Sequence, residues 1–346
     1  MDLWITAILI VMLALLIDAV IGDVPNAIHP LRWMGNILNR LDKSIKRKGR
    51  KGTIFKGFMS YLFVLFIFAF ITLTILALIH TKIGGDPIDA GILGTTNLGE
   101  IIWIIVCAFI FKLTFAVISF RRHCKPIQRD LKNGDLESAA ARVQMIVSRN
   151  TKGMDAPHIA SSCTETISEN YADSVCSPTF YFGLFGIFGA WMFRCTNLMD
   201  AMWGYLNEKY GDLGYFPAKF DDVLGYVTSR ISIVFIAMAS VFVGGSPRKA
   251  ISTAREQHTM TPSPNSGWPM TAAAGALGFS MEKKDVYVMG HGELPTIKDI
   301  SRCYKMVEIA AFLFFLLVTV PLFVLIGVHI QIWMEDAIIR LFEAIF

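Results

Sequence analysis

GFMSYLFVLFIFAFITLTILALI, residues 57–79, runs for 23 positions without a charged side chain. A helix needs about 20 predominantly apolar residues to cross the hydrocarbon core of a bilayer, so this stretch is long enough. The rest of the chain agrees with it. Of 346 residues, 54% are hydrophobic and 17% charged, against about a quarter charged in a soluble domain. Three further stretches have the same character: Leu3–Ile21, Ile101–Phe120 and Ile309–Ile332. Lys112 interrupts one and Pro321 another, which a helix packed against protein tolerates. Two weaker runs, Phe180–Phe193 and Ile231–Val243, fall short of a comfortable span and read as re-entrant, tilted or protein-buried segments. The expected fold is all-α: a polytopic integral membrane protein with four clear transmembrane helices, two shorter apolar segments and cytoplasmic helical loops. It is read as one membrane-embedded domain over residues 1–346, with a cytoplasmic helical segment at 120–178 and polar, site-forming segments at 194–230 and 245–305.

Charge orients the chain. Nine Lys and Arg residues lie between Arg32 and Lys56 against the single acid Asp42, whereas Lys82 in the next loop is outnumbered by Asp86, Asp89 and Glu100. The positive-inside rule makes the first loop cytoplasmic and the second external, which puts the N-terminus outside. No Lys or Arg precedes the first apolar run, and Asp18 and Asp23 stand where a small-residue cleavage site would fall. The run therefore reads as a permanent helix in a multi-pass protein of the cell membrane. The basic run Lys43–Lys51 suits anionic lipid, and nothing points to nucleic acid. The six cysteines form no CxxC pair and no zinc spacing, so they read as thiols or small buried hydrophobes.

Four polar clusters exceed what a simple anchor needs. DAVIGDVPNAIHPLRWMGNIL, residues 18–38, brings His29 and Arg32 close behind Asp18 and Asp23, a set suited to a phosphate and a metal ion. TETISENYADSVCSP, residues 164–178, spaces Glu165, Glu169 and Asp173 four apart on an expected helix. Like charges so spaced repel, and a divalent cation bridging to a phosphate is the better explanation here. Residues 194–230 hold Asn197, Asp200, Asn207, Glu208, Lys209, Asp221, Asp222 and Arg230. SPNSGWPMTAAAGALG, residues 263–278, suits either an anion at a helix start or close helix packing.

Taken in order, IDAVIGDVPNAIHPLRWMGNIL, GDLESAAARVQMIVSRNT, ETISENYADSVCSP, TNLMDAMWGYLNEKYGDLGYFPAKFDDV, SPNSGWPMTAAAGALG and GHGELPTIKDISRCYKM resemble the CobD/CbiB family of cobalamin biosynthesis, membrane-bound adenosylcobinamide-phosphate synthases. The resemblance implies ATP-driven amide formation between a carboxylate of adenosylcobyric acid, a corrinoid, and the amine of aminopropanol phosphate or a related amino-alcohol phosphate. With that chemistry, Glu165, Glu169, Asp173, Asp200 and Asp222 are the expected catalytic acids. Asp18, Asp23, Glu165, Glu169, Asp173 and Asp221 are the expected Mg²⁺ ligands. His29, Arg32, Arg149, Thr151, Asn170, Asn207, Lys209 and Asn265 are expected to meet substrate or phosphate, and one carboxylate to take a proton from the attacking ammonium. ATP places the site on the cytoplasmic side. The chain departs from the family pattern at Asn150, in a GRDT-like stretch, and at Lys209, in an NERY-like motif, where lysine keeps the charge without a bidentate contact. Homo-oligomers or association with other enzymes of the pathway are compatible with this reading. The rival readings are a non-catalytic, sensor-like relative and an anion transporter. A sensor would have lost several polar motifs, and a transporter would carry polar residues at mid-bilayer, where the four strong spans are nearly bare.

Overall fold

The computed structural model describes every residue except Asn26, Ile92, Leu93 and Phe346. The described chain is helical almost throughout and carries two short antiparallel hairpins. Five of its helical stretches are long and apolar enough to cross a membrane: Leu3–Val20, Arg50–Lys82, Ala156–Trp203, Tyr215–Val243 and Ile297–Ile345. The all-α, multi-pass architecture is therefore the expected one. The residues fall into two compact units, Met1–Phe115 with Pro178–Leu224 and Phe315–Phe346, and Ala116–Ser177 with Gly225–Phe314.

In the first unit α1 (Leu3–Val20), α3 (Arg50–Lys82) and α4 (Leu98–Lys112) pack together. Their contact faces bury Ile10, Val11, Ala14, Val64, Leu76 and Phe111, while Leu16, Phe63 and Phe66 stay exposed. Helices apolar all round suit a lipid surround. Between α1 and α3, the amphipathic α2 (Pro30–Ser44) buries Met34 and Leu38 and leaves Arg40 exposed. The hairpin β1 (Ile88–Asp89) and β2 (Thr95–Thr96) joins α3 to α4. Near the C-terminus, α13 (Val320–Leu322) lies between π turns at Phe315–Thr319 and Phe323–Gly327. Pro321, which lacks an N–H and crowds the preceding turn, accounts for the loosened ladder. The final α14 (Val328–Ile345) packs on α3.

Two apolar stretches behave differently from the hydropathy reading. The expected helix over 101–120 ends at Lys112, where the ammonium is drawn to acids and to the Phe115 carbonyl, and Thr114 Oγ1 bonds the Phe111 carbonyl. A new helix, α5 (Ser119–Lys132), starts in the second unit.

The run Phe180–Phe193 lies in α8 (Ser177–Trp203), which is broken at Phe185 and Gly186, the latter at φ +61°. A Cβ at Gly189 would stand 2.0 Å from the Tyr181 carbonyl oxygen, although eight residues of continuous helix rise about 12 Å. Tyr181 also stacks on Phe193, with centroids 6.0 Å apart. The two arms of α8 therefore fold back on each other as a helical hairpin, and Ala156–Trp203 is not one rod. Gln331 Oε1 accepts the Ile187 N–H at 3.1 Å, meeting a donor that opens the second arm. The other weak run lengthens into α9 (Tyr215–Ser240), whose Phe216 and Phe220 pack on Phe58 and Tyr61.

The second unit contains α5, α6 (Leu136–Gln144), α7 (Ala156–Tyr171), α10 (Pro247–Gln257), α11 (Gly267–Leu277), the hairpin β3 (Ser280–Lys283) and β4 (Tyr287–Gly290), and α12 (Ile297–Phe314). The small-residue stretch serves close packing. A Cβ at Gly275 would lie 2.4 Å from the Lys249 carbonyl oxygen, so α10 and α11 approach as only glycine allows. α7 packs against α12, α11 and β3, and this sets its acidic face.

Candidate functional site

α7 begins where Asp155 accepts the His158 N–H and Pro157 occupies the first turn, the standard chemistry of a helix start. One turn apart along it stand Glu165 and Glu169. Glu165 is only 3% exposed, and a carboxylate so buried must be compensated. Arg149 Nη2 lies 2.5 Å from its Oε2 and Tyr287 Oη donates to the same oxygen at 2.7 Å. Ser161 Oγ donates to Oε1 at 3.3 Å, and it also accepts the Glu282 N–H at 2.9 Å, tying α7 to β3.

The β3–β4 hairpin pairs Lys283 with Tyr287 across its turn, so both side chains leave on one face. Asp285 provides the positive φ there, at 61°, as its short polar side chain tolerates. Burial, and then the neighbouring carboxylates, push the Tyr287 phenol up from its ordinary value, so it remains a donor.

These groups line a cavity of about 350 Å³, walled by Arg149, Glu165, Glu169, Asn170, Lys283 and Tyr287 together with Thr261, Ser263 and Ser266. Among the described residues the Glu169 carboxylate has no hydrogen bond and no ion pair within 4 Å, although it feels the charges of Glu165, Lys283 and Arg149. The cavity thus joins one uncompensated carboxylate to two cations and a row of hydroxyls.

The sequence stripe only partly survives. Asp173 falls in a π turn, Ala172–Cys176, and does not line this cavity. Thr151 is a positioning residue: its hydroxyl donates to the Ala140 carbonyl at 2.7 Å, and its N–H donates to Gln144. Asn265 also lies outside the cavity, with Oδ1 3.4 Å from Arg230 Nη1. The Asn265 and Ser266 N–H groups are taken by Ser263 Oγ, so that loop offers hydroxyls rather than bare amides.

The remaining candidates lie in the first unit. Asp18, 1% exposed, and Asp23 each stand 3.0 Å from Lys112 Nζ, so an ammonium already answers their charge. His29 Nδ1 accepts the Leu31 N–H and caps α2. Burial holds the His29 imidazole below its ordinary pKa; Asp23 opposes this, and Arg194 and Lys112 add to it. Arg32 is exposed on α2. Arg194 Nη1 donates to Asn197, which donates to Asp221 at 3.4 Å, and Asp200, Asp221 and Asp222 lie within electrostatic reach of one another. Asn207 Oδ1 accepts the Tyr210 N–H, and Lys209 Nζ reaches Asp42 at 2.9 Å and Tyr210 Oη at 2.6 Å. Burial raises the Asp42 carboxyl, but the bonds from Lys209 and Arg47 outweigh it and hold the group below the usual carboxylate range. Lys209 and Asn207 therefore form a loop clasp.

Among the described residues no three His, Cys, Asp or Glu side chains are grouped to hold a metal by themselves. Mg²⁺ commonly takes one or two protein carboxylates and completes its shell with water and phosphate oxygens, and Glu169 beside Asn170 fits that demand. Lys112, Lys283 and Tyr287 were not among the candidates from sequence. Lys112 was visible as a charge inside an apolar run. Lys283 and Tyr287 lie in a segment, EKKDVY (282–287), that shows no polar–apolar alternation and carries no motif.

A family model for the CobD/Cbib protein matches residues 11–316. The chain is 35% identical to the "Probable cobalamin biosynthesis protein CobD" of Methanococcus aeolicus, over 90% of this chain and 96% of that relative. It is 33% identical to the "Cobalamin biosynthesis protein CobD" of Dehalococcoides mccartyi, over 85% and 90%, and 31% identical to that of Clostridium perfringens, over 91% and 96%. No solved structure matches it. With nearly its whole length aligned to this one group, the chain belongs to the CobD/Cbib protein family.

Proposed function

We propose that the protein is a membrane-bound, ATP-dependent acid–amine ligase of cobalamin biosynthesis, joining adenosylcobyric acid to aminopropanol phosphate or a related amino-alcohol phosphate to give adenosylcobinamide phosphate. The observation that carries this reading is the cavity in which Glu169 has no partner while Arg149 and Lys283 stand beside it. Such a site suits a polyphosphate with its counter-ion. The reading puts the cavity on the cytoplasmic side, where ATP is, and the N-terminus outside.

A carboxylate does not react with an amine at neutral pH. Transfer of the γ-phosphoryl group from ATP to the corrinoid carboxylate gives an acyl phosphate and ADP. The amine then displaces phosphate. Little covalent work falls to the protein, so its contribution is positioning and charge neutralisation. Lys283 and Arg149 face the transferring phosphoryl oxygens, and the Ser263 and Ser266 hydroxyls complete the cradle. Tyr287 holds Glu165 in place, which in turn holds Arg149. Bound through Glu169 and Asn170, Mg²⁺ would supply neutralisation of phosphate charge. Asp200, Asp221 and Asp222 form a second acidic group, and substitutions there belong in the same assay.

The test is direct. Purified protein in detergent is incubated with ATP, Mg²⁺, adenosylcobyric acid and aminopropanol phosphate. ADP and amide formation that need both organic substrates support the reading. ADP release indifferent to the corrinoid, or no amide, overturns it.

A further inference from the structure

Beside the Glu169 cavity, within the same unit, lies a second cavity of about 240 Å³. Ile146, Thr166 and Asn170 line both, so the two cavities adjoin at these residues. The second cavity is also lined by Ser119, His123 and Ser174. Ser174 Oγ donates to Asn170 Oδ1 at 3.2 Å, which orients the amide shared by the two spaces.

His123 is held in a defined way. Its Nδ1 lies 2.8 Å from the Ser119 carbonyl oxygen and 3.2 Å from Ser119 Oγ. A carbonyl oxygen only accepts, so Nδ1 carries the proton and donates. The neutral ring then keeps its lone pair on Nε2. Among the described residues that line this cavity there is no Asp or Glu. The acids of the neighbouring cavity are differently placed: Glu165 is tied to Arg149 and Tyr287, and neither Glu165 nor Glu169 lines the cavity that holds His123.

Building on the ligase reading above, we propose that His123 is the general base that deprotonates the attacking ammonium, with the amine nitrogen and the acyl carbon meeting where the two cavities adjoin at Asn170. The ammonium gives one proton to His123 Nε2. The nitrogen lone pair so freed attacks the acyl carbon and forms the C–N bond. The C–O bond to phosphate then breaks, its electron pair leaving on phosphate. The second nitrogen proton goes to that departing phosphate, which leaves as hydrogenphosphate, and the protonated imidazole returns its proton to water.

The experiment compares two nucleophiles with wild type and His123→Gln. One is aminopropanol phosphate. The other is an aminooxy analogue of it, whose nitrogen is already unprotonated at neutral pH and needs no base before attack. General-base catalysis contributes about 10²–10⁴-fold, so His123→Gln is expected to slow amide formation from aminopropanol phosphate by about 10²-fold or more, while the aminooxy reaction and the corrinoid-dependent ADP burst stay within about twofold. His123→Ala is expected to regain rate with added imidazole, which a purely structural loss does not. Equal losses with both nucleophiles, or a His123→Gln rate equal to wild type, overturn the assignment. If wild type forms no amide with either nucleophile, the ligase reading itself has failed.

Discussion

Arg149 Nη2 stands 2.5 Å from Glu165 Oε2, joining a polar loop to the buried face of α7. One turn along, Glu169 has no such partner. Two acids of like spacing thus carry different burdens. Glu165 is structural in the first instance, whereas Glu169 is free to meet a ligand.

That difference sets the first expectation. Removing one member of a buried ion pair costs about 3–5 kcal/mol, because the other charge is left uncompensated. Arg149→Met is therefore expected to lower the unfolding temperature in detergent markedly. The pair Arg149→Met with Glu165→Gln is expected to recover most of the loss, as a double-mutant cycle by thermal unfolding will read.

Glu169→Gln behaves oppositely. It removes a carboxylate that meets no donor, so folding stability is expected to hold. Ligation is expected to fall by about 10²-fold or more, the size seen when one electrostatic contact to a transition state is lost. Raising Mg²⁺ is expected to restore part of that rate. Equal Mg²⁺ titrations for Glu169→Gln and wild type would contradict the role given to this acid.

Lys112 provides a third test. It is 1% exposed and stands 3.0 Å from both Asp18 and Asp23. Lys112→Met removes a buried ammonium that both acids share, and a destabilisation of up to about 3–5 kcal/mol is expected. Lys112→Arg, which keeps the charge, is expected to lose less. Thermal unfolding of the detergent-solubilised protein distinguishes the two.

Gly186 is the hinge of the α8 hairpin, at φ +61°, and a Cβ there would lie 2.4 Å from Gln331 Oε1. The backbone at φ +61°, ψ −147° is essentially reserved to glycine and costs another residue about 1–3 kcal/mol before any clash. Gly186→Ala is expected to destabilise by more than that, because the displaced Gln331 also releases the Ile187 N–H. Gly84→Ala, at a site open to solvent space, is the control and is expected to be close to neutral.

His29 gives the pH dependence. Its folded-state pKa lies below the ordinary value, chiefly through burial. The folded state then binds fewer protons than the unfolded chain once pH falls below the ordinary histidine value of about 6.5. Stability from this group is present above that pH and is lost as pH falls toward the lowered folded value. His29→Asn keeps an oxygen to cap α2 and is expected to flatten the unfolding-temperature profile between about pH 7 and 5.

What the sequence reveals follows from the range of each interaction. Long apolar runs and the charge of their loops are local, so the multi-pass helical fold is legible from hydropathy. The end of α4 is not, because the acids that draw Lys112 lie far away in sequence, Asp23 by 89 residues. The pair Glu165 and Glu169 is legible from spacing alone. Asp173 is not part of the same face, since two steps of four residues already drift about 80° around an α-helix, before the π turn that holds Asp173 loosens the winding. Lys283 and Tyr287 reach the cavity through strand pairing, which the composition of a six-residue segment does not show. The commitments of Lys209 to Asp42, and of Thr151 to Ala140, depend on tertiary contacts that no motif encodes.

The central claim concerns the fate of one oxygen atom. Adenosylcobyric acid labelled with ¹⁸O in the reacting carboxylate is incubated with the protein, ATP, Mg²⁺ and aminopropanol phosphate, and the phosphate products are analysed by mass spectrometry. Activation through an acyl phosphate delivers one labelled oxygen to inorganic phosphate, with ADP formed in equal amount. Label found in AMP, or inorganic phosphate free of label while amide accumulates, contradicts the account.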